Sequence, residues 1–480
     1  MTSYVGSAVS TDNQHELASS QSDAATTLPL HVLILVAALA AAILGQGAYY
    51  SAGQQILAVM LALAVIAALR TWPWTRSDAA LGPVVGCAVL AGWAVLSAAL
   101  AGRVVGARAT AAMLLGVAAV LVICRRSTPA QRDALAGATL AIGALAAATG
   151  WIGVAWRHTP WALPDQGLWR AATTFSYANA AAGLLVPLAL LALAQRVARP
   201  RSQPLVVTGC LLLVGVGATL SRGGAVALTI GFAVLVWLLG PARLIPAVGP
   251  CAVGAAIALL GLAPSMPASR PPQTGLAVGA LMIGLLVAVG LTILGRRAVI
   301  VAAVGIAVVA ALLLPRVLAG APSTNFGSRI SVASSDRIHA ARAALRLAER
   351  RPFTGAGPGQ ATLYWVGPDG RTLTIQYVHN EYLQVLAELG TIGLALLLVL
   401  LAVVARMVWR GRHLVGTPAT WAGVVAGLSA LAVHSGLDFL WHLPAIPLTG
   451  AVLVGLSAPP LRGKEESAQQ SLASQKKEDR

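Results

Sequence analysis

The sequence predicts an all-α polytopic membrane protein of about 12–14 transmembrane helices, with one large external loop that contains an amphipathic helix. Three observations carry that prediction. Apolar residues make up 57% of the 480-residue chain and charged ones only 10%, against about 25% charged in an ordinary globular protein. So few charges cannot cover a soluble surface of this size. The apolar residues also gather in long blocks of Ala, Leu, Val, Gly and Ile, many near the roughly 20 residues that cross a bilayer. Finally, the basic residues sort by side once those blocks are taken as spans.

Fourteen hydrophobic segments lie near 30–48, 54–70, 79–101, 106–124, 134–155, 176–195, 204–221, 223–240, 243–263, 275–295, 297–315, 389–408, 418–436 and 443–458. The segment 1–28 before them is rich in Ser, Thr, Asn and Gln and is expected to be a disordered cytoplasmic N-terminus. It lacks the basic n-region of a cleavable signal, so the first segment is expected to be retained as a helix. Helices one to eleven then occupy 29–315, the external loop 316–388, and the last three helices 389–460. The charged tail 461–480 is expected to be disordered and cytoplasmic. The cysteines Cys87, Cys124, Cys210 and Cys251 sit inside apolar runs without metal spacing and read as small core residues.

The net charge of +17 gains meaning from its placement. With the N-terminus inside, fourteen Arg residues in short loops and the five basic residues of the tail fall on the cytoplasmic side. The opposite side receives only Arg103, Arg108, Arg157, Arg170, Arg222 and Arg270 in short loops. The other eight lie in 316–388, longer than the roughly 60 residues within which the positive-inside rule holds. Both termini are therefore placed inside and the long loop outside. Almost no charge falls in the middle of a span, whereas ion-coupled transporters and pumps carry ionisable groups near the midplane. Chemistry or binding at the outer membrane face gains from that, and transport loses.

Three external features stand out. Ser221-Arg222-Gly223-Gly224 makes a sharp turn between two spans. Its Arg is either a snorkelling side chain or an anion receptor whose glycines let the backbone approach closely. Ser335-Asp336-Arg337 opens a helix over 338–351, with Ile338, Ala341, Leu345 and Ala348 on one face and Arg342, Arg346 and Arg350 on another. Such a helix lies on an anionic membrane surface or presents Arg to the phosphates of a membrane-borne substrate. The turn from Arg351 through Gly359 that follows has no preceding strand and holds Pro358, so it fails the context test for a nucleotide loop. The third feature is His379-Asn380-Glu381-Tyr382-Leu383, followed by Glu388-Leu389-Gly390, where the long loop re-enters the membrane. His379 there is either a structural histidine or a proton acceptor near neutral pH. No Asp-x-Asp pair occurs, so no metal–diphosphate site has visible ligands.

Taken together these features resemble the O-antigen ligase/polymerase superfamily of bacterial envelope proteins. The resemblance rests on Ser221-Arg222-Gly223, on the loop with Pro352 and the Gly355–Gly359 turn, and on His379-Asn380-x-Tyr382-Leu383 with Glu388-x-Gly390. Thr174-Phe175 with Asn179 at the outer end of the sixth segment looks like the family's Phe-then-Asn element. Members commonly have fewer spans than the fourteen counted here. The resemblance implies transfer of a glycan from an undecaprenyl-diphosphate-linked donor to a hydroxyl of a glycan, lipid or cell-wall acceptor. It places that reaction at the outer face of the bacterial cytoplasmic membrane, embedded in the lipid bilayer, with no cofactor, metal, ATP or nucleic-acid partner. His379 would be the general base, Arg222 and Arg337 would bind the diphosphate, and Ser221, Asn179, Asn380 and Glu388 would support them. A polytopic transporter of a small anion or lipid-linked saccharide, and a non-catalytic assembly protein, are the competing readings.

The expected topology is testable with Thr324→Cys and Ser467→Cys. A membrane-impermeant thiol reagent applied to intact cells should label position 324 and not 467; the reverse pattern would invert the orientation and remove the proposed site from the outer face.

Overall fold

The computed structural model describes residues 28–70, 81–318, 335–366, 372–413 and 418–457. Each of the fourteen apolar segments falls on a helix: α1 Leu30–Leu44, α2 Ser51–Leu69, α3 Leu81–Leu100, α4 Ala107–Arg126, α5 Pro129–Trp156, α6 Ala178–Ala198, α7 Gln203–Thr219, α8 Arg222–Leu239, α9 Pro241–Leu262, α10 Thr274–Leu294, α11 Arg296–Leu318, α13 Glu381–Arg410, α14 Pro418–Ser435 and α15 Ala445–Leu456. One further α-helix among the described residues, α12 (Ser335–Arg350), belongs to the long connection before α13. Among the described residues, nine helices are long and apolar enough to cross a membrane. The chain is thus an all-α polytopic membrane protein, with two short antiparallel hairpins, β1–β2 (Ala162–Asp165, Leu168–Ala171) and β3–β4 (Leu363–Val366, Thr372–Ile375), as its named strands.

Helix α6 is the centre of the bundle. Every residue from Ala180 to Arg196 is buried, which suits a helix that is apolar on all sides. Lipid is as apolar as Leu, so helices associate through close packing of small residues. Accordingly α8 and α14 approach α6 so closely that a Cβ at Gly231 would fall 2.3 Å from Leu190 Cδ1, and one at Gly423 2.6 Å from Ala194 Cβ. The four cysteines are free and buried, as small core residues.

Short connections make successive helices run in opposite directions, so alternate connections gather at one end of the bundle. Contacts tie that end together: Tyr49 after α1 meets Tyr377 hydroxyl to hydroxyl at 3.2 Å, Trp169 N–H of β2 donates to Met266 O after α9 at 2.7 Å, and Arg337 of α12 donates to Leu437 O after α14 at 3.0 Å.

The long connection is a small folded unit on this end. Strand β3 pairs with β4 in the register Leu363↔Ile375, and α12 packs Ala340, Ala343 and Ala344 against Ala361, Leu363, Val378 and Ala387. Here the structure corrects the sequence reading of α12. The expected apolar face was Ile338, Ala341, Leu345 and Ala348, yet Ile338 is 43% exposed and Leu345 44%, while the alanines take the buried side. The buried side is the one that packs on β3 and α13, and it carries Ala340, Ala343 and Ala344 with Leu347 beside them. Arg342, Arg346 and Arg350 face outward as expected.

The 389–408 span also starts earlier than its hydropathy suggests. The helix begins at Glu381 and is broken at Gly390, whose φ of +69° is open to glycine. The break frees carbonyls that lipid cannot satisfy, and the turn after α12 supplies their donors. Ala356 N–H donates to Ala387 O at 2.9 Å, Gly357 N–H to Glu388 O at 2.9 Å, and Trp93 Nε1–H of α3 to Leu389 O at 2.9 Å. The turn and the break fit too closely for side chains: a Cβ at Gly390 would lie 2.3 Å from Phe353 O, and one at Gly355 2.3 Å from Glu388 O.

Candidate functional site

At the gathered end of the bundle one carboxylate organises the polar side chains. Asp438 lies in the connection between α14 and α15 and is only 1% exposed. A buried carboxylate must be matched by donors, and four separate chain segments supply them. Oδ1 accepts from Tyr177 Oη–H at 2.8 Å and from Phe439 N–H at 2.8 Å, and stands 3.1 Å from His379 Nδ1. Oδ2 accepts from Asn179 Nδ2–H at 2.6 Å and from Arg337 at 3.2 Å. Burial alone pushes the Asp438 carboxyl up, but the His379 hydrogen bond and charge, then Arg337 and Tyr177, hold it below its ordinary range. The Tyr177 hydroxyl is pushed the other way, by burial and then by Asp438, so it stays a donor.

His379 precedes α13 with a φ of 54°. A left-handed conformation at a residue with a Cβ is held only where its surroundings impose it. Two caps impose it here. Asn380 Oδ1 accepts Leu383 N–H at 3.1 Å as the N-cap of α13, and Gln384 Oε1 accepts Val378 N–H at 2.9 Å. The chain therefore turns at His379 and aims its ring at Asp438. With Nδ1–H donated to the carboxylate, Nε2 carries the lone pair, and the side chain is 29% exposed. A carboxylate fixing the tautomer of an imidazole is the arrangement of an oriented general base.

The cations gather beside this pair. Arg337, from the first turn of α12, donates to both Leu437 O and Asp438. Arg222 opens α8 after the left-handed Leu220 (φ 50°) and lies within electrostatic range of Arg337, Arg170 and Asp165. Arg170 on β2 links the parts: it donates to Thr219 O at 2.9 Å, to Asn179 Oδ1 at 3.0 Å and to Asp165 Oδ2 at 2.5 Å. Three guanidinium groups (Arg170, Arg222, Arg337) thus face two carboxylates (Asp165, Asp438). The surplus suits an anion, which planar guanidinium groups bind with two parallel hydrogen bonds. Among the described residues no group of three or more His, Cys, Asp or Glu side chains is placed to hold a metal ion.

The residues singled out in the sequence divide into two sets. His379, Arg337 and Asn179 converge on Asp438, with Arg222 nearby. The others shape the backbone. Ser221 Oγ accepts Gly224 N–H at 3.1 Å as the N-cap of α8, and Asn380 caps α13. Glu388 is buried away from Asp438, accepting from Gln384 Nε2–H at 2.7 Å.

Sequence reasoning missed Asp438, Tyr177 and Arg170. Asp438 had a signal: it is the only acidic residue between Leu389 and Pro460, and it falls in a connection on the same side as His379. Tyr177 had none, since its carboxylate partner is 261 residues away, and Arg170 had only its nearness to Asp165 and Asn179, its tie to Thr219 lying 49 residues off.

Comparison with known proteins bears on this architecture. Residues 269–398 match the family model described as O-antigen ligase. The match takes in Arg337, His379 and Glu388, and supports the O-antigen ligase/polymerase superfamily. No curated protein matches the chain.

The Asp438 network makes a stability prediction. Asp438→Asn should insert normally but lose about 1–3 kcal/mol through mismatched buried donors. Because the folded-state pKa of Asp438 is depressed, its contribution is present above the unfolded value near pH 3.9 and is lost as pH falls through the folded value. Thermal melting in micelles should show the wild-type advantage at pH 7, its decline beginning below about pH 4 and its disappearance once the pH is below the folded-state value. Equal melting at pH 7 would mean that the network is not coupled to folding.

Proposed function

We propose that this protein of the O-antigen ligase/polymerase superfamily is an integral-membrane glycosyltransferase. It moves a glycan from an undecaprenyl-diphosphate carrier to an acceptor hydroxyl at the outer face of the cytoplasmic membrane. The observation that carries the reading is the juxtaposition of a carboxylate-oriented imidazole, His379–Asp438, with a surplus of guanidinium groups at one end of a membrane bundle. A transferase acting on a lipid-borne diphosphate needs both. It needs a base for the acceptor and fixed positive charge for the leaving group.

The step follows from those roles. His379 Nε2 takes the acceptor hydroxyl proton as that oxygen bonds to the anomeric carbon. The bond from that carbon to the diphosphate oxygen breaks, and its electron pair leaves with the diphosphate, whose charge is met by Arg222 and Arg337. The imidazolium, stabilised by Asp438, then releases its proton to solvent. Breaking the sugar–diphosphate bond supplies the driving force, so the reaction needs no nucleotide. Asn179 and Tyr177 hold Asp438, while Ser221, Asn380 and Glu388 hold the turns that carry Arg222 and His379.

The test is transfer from a lipid-diphosphate donor to an acceptor glycan in proteoliposomes, with His379→Ala and Arg222→Lys beside the wild type. His379→Ala should reduce turnover by about 10²–10⁴-fold with donor binding retained. Because protonation disables a base, the acid limb of the wild-type profile should go with it. A protonated His379 that instead binds diphosphate would make activity rise as pH falls. Arg222→Lys keeps the charge but loses the fork, and should weaken donor binding along with turnover. Full transfer by both variants would reject the site. A wild type that moves an anion or lipid-linked saccharide across the membrane without transferring it would establish the transporter reading instead.

A further inference from the structure

A second carboxylate–imidazole pair lies near the first, and both histidine rings meet Phe439 edge-on. Glu381 is the first residue of α13 and is 1% exposed. Its Oε1 accepts the backbone N–H of Trp441 and stands 3.5 Å from His442 Nδ1. The rings between the two pairs are in contact. Tyr377 stacks on Phe439 at 4.7 Å and meets His442 at 4.2 Å, while His379 meets Phe439 edge-on at 5.0 Å.

The pairs share their two chain segments. His379 and Glu381 are two residues apart at the start of α13, and Asp438 and His442 are four apart in the connection from α14 to α15. That connection is a run of turns whose own backbone bonds (Gly436 N–H to Val433 O, Leu437 and Asp438 N–H to His434 O, Leu443 N–H to Leu440 O) are all local, so its position over α13 depends on such ties. Neighbouring contacts reinforce the second tie: Tyr382 Oη–H donates to Ala432 O at 2.9 Å, Trp441 Nε1–H donates to Ser435 Oγ at 2.9 Å, and the two rings meet edge to face at 5.7 Å.

We infer that Glu381 and His442 form a positioning clasp, a buried ion pair that fixes the Asp438 connection against the start of α13 and so keeps Asp438 in register with His379. Its catalytic consequence rests on the glycosyltransferase reading; the clasp itself does not. Neither residue touches the reacting atoms in that mechanism, so both act through Asp438.

The groups around His442 are Glu381 and Glu388 from α13, Tyr377 after β4 with Tyr49 behind it, and Phe439 and Asp438 on its own connection. Burial lowers the His442 pKa, but Glu381 and then Glu388 raise it above its ordinary value. A raised histidine keeps its charge to a higher pH than a free imidazole, so the clasp is closed below the folded value and weakens as pH rises through it. Glu381→Gln keeps an acceptor for Trp441 N–H but removes the charge. It should let His442 lose its proton at a lower pH.

The experiment uses the full chain in proteoliposomes with two readouts. In hydrogen–deuterium exchange, corrected for intrinsic rates, residues 436–444 should be protected in the wild type at about pH 6, below the ordinary imidazole value. They should loosen as pH rises through the folded value, and in Glu381→Gln and His442→Gln they should already be loose at about pH 6, with α6 unchanged throughout. In the transfer assay both variants should lose about 10–10²-fold in kcat, the scale of a displacement near 1 Å, with donor KM held and the alkaline limb shifted to lower pH. Unchanged exchange at 436–444 in the variants, or in the wild type across the pH series, would overturn the clasp. So would loosened exchange with unchanged kcat, or a rise in donor KM alone. A wild type with the expected exchange but no transfer would leave the clasp standing and reject the glycosyltransferase reading.

Discussion

Everything at the site end of this molecule depends on keeping one carboxylate charged at the edge of a hydrocarbon environment. Asp438 is nearly inaccessible, and an isolated buried carboxylate would be protonated rather than tolerated. Its charge is kept by donors from the connection before α6 (Tyr177), α6 itself (Asn179), α12 (Arg337) and the turn before α13 (His379). None of these segments is near Asp438 in sequence. The carboxylate therefore works as a tie between parts of the bundle and as the group that sets the orientation of His379.

The bundle is built to bring those segments together. The packed α6 gives α8 and α14 a fixed surface to lie on, so the first turn of α8 meets the end of α14 and the connection that follows it. A Cβ at Gly223 would lie 3.0 Å from the His434 ring and 3.6 Å from Leu437 Cβ. Larger residues there would push the α8 turn, and Arg222 with it, away from the site. On the far side, the break at Gly390 lets the turn after α12 key into α13, and that keying sets where α12 presents Arg337. Rigid elements with tight contacts hold a polar site to the tolerance that proton transfer and charge stabilisation demand.

Much of this was legible in the chain. Hydropathy located all fourteen apolar helices, because a bilayer imposes a length and a composition that few other structures need. The placement of Arg in the short loops put Arg170, Arg222 and Arg270 on one side, and Ser335-Asp336-Arg337 announced the start of α12. His379 and Arg337 were visible as chemistry-bearing residues in a polar loop. Asp438 was visible too, as a lone acid between two spans, but nothing local gave it a partner.

What the sequence determined by itself, then, is the membrane bundle, the sidedness of its charge pattern and the types of side chain available at one end, since each follows from period, length and local capping. The tertiary structure decided the rest. It chose the alanine face of α12 over Ile338 and Leu345, turned Ser221 and Glu388 into backbone supports, and made Asp438 the partner of His379 across 59 residues. These outcomes depend on which faces meet, how closely helices approach and where a buried charge finds its donors. Such quantities belong to pairs of distant segments and are not properties of any one stretch of chain.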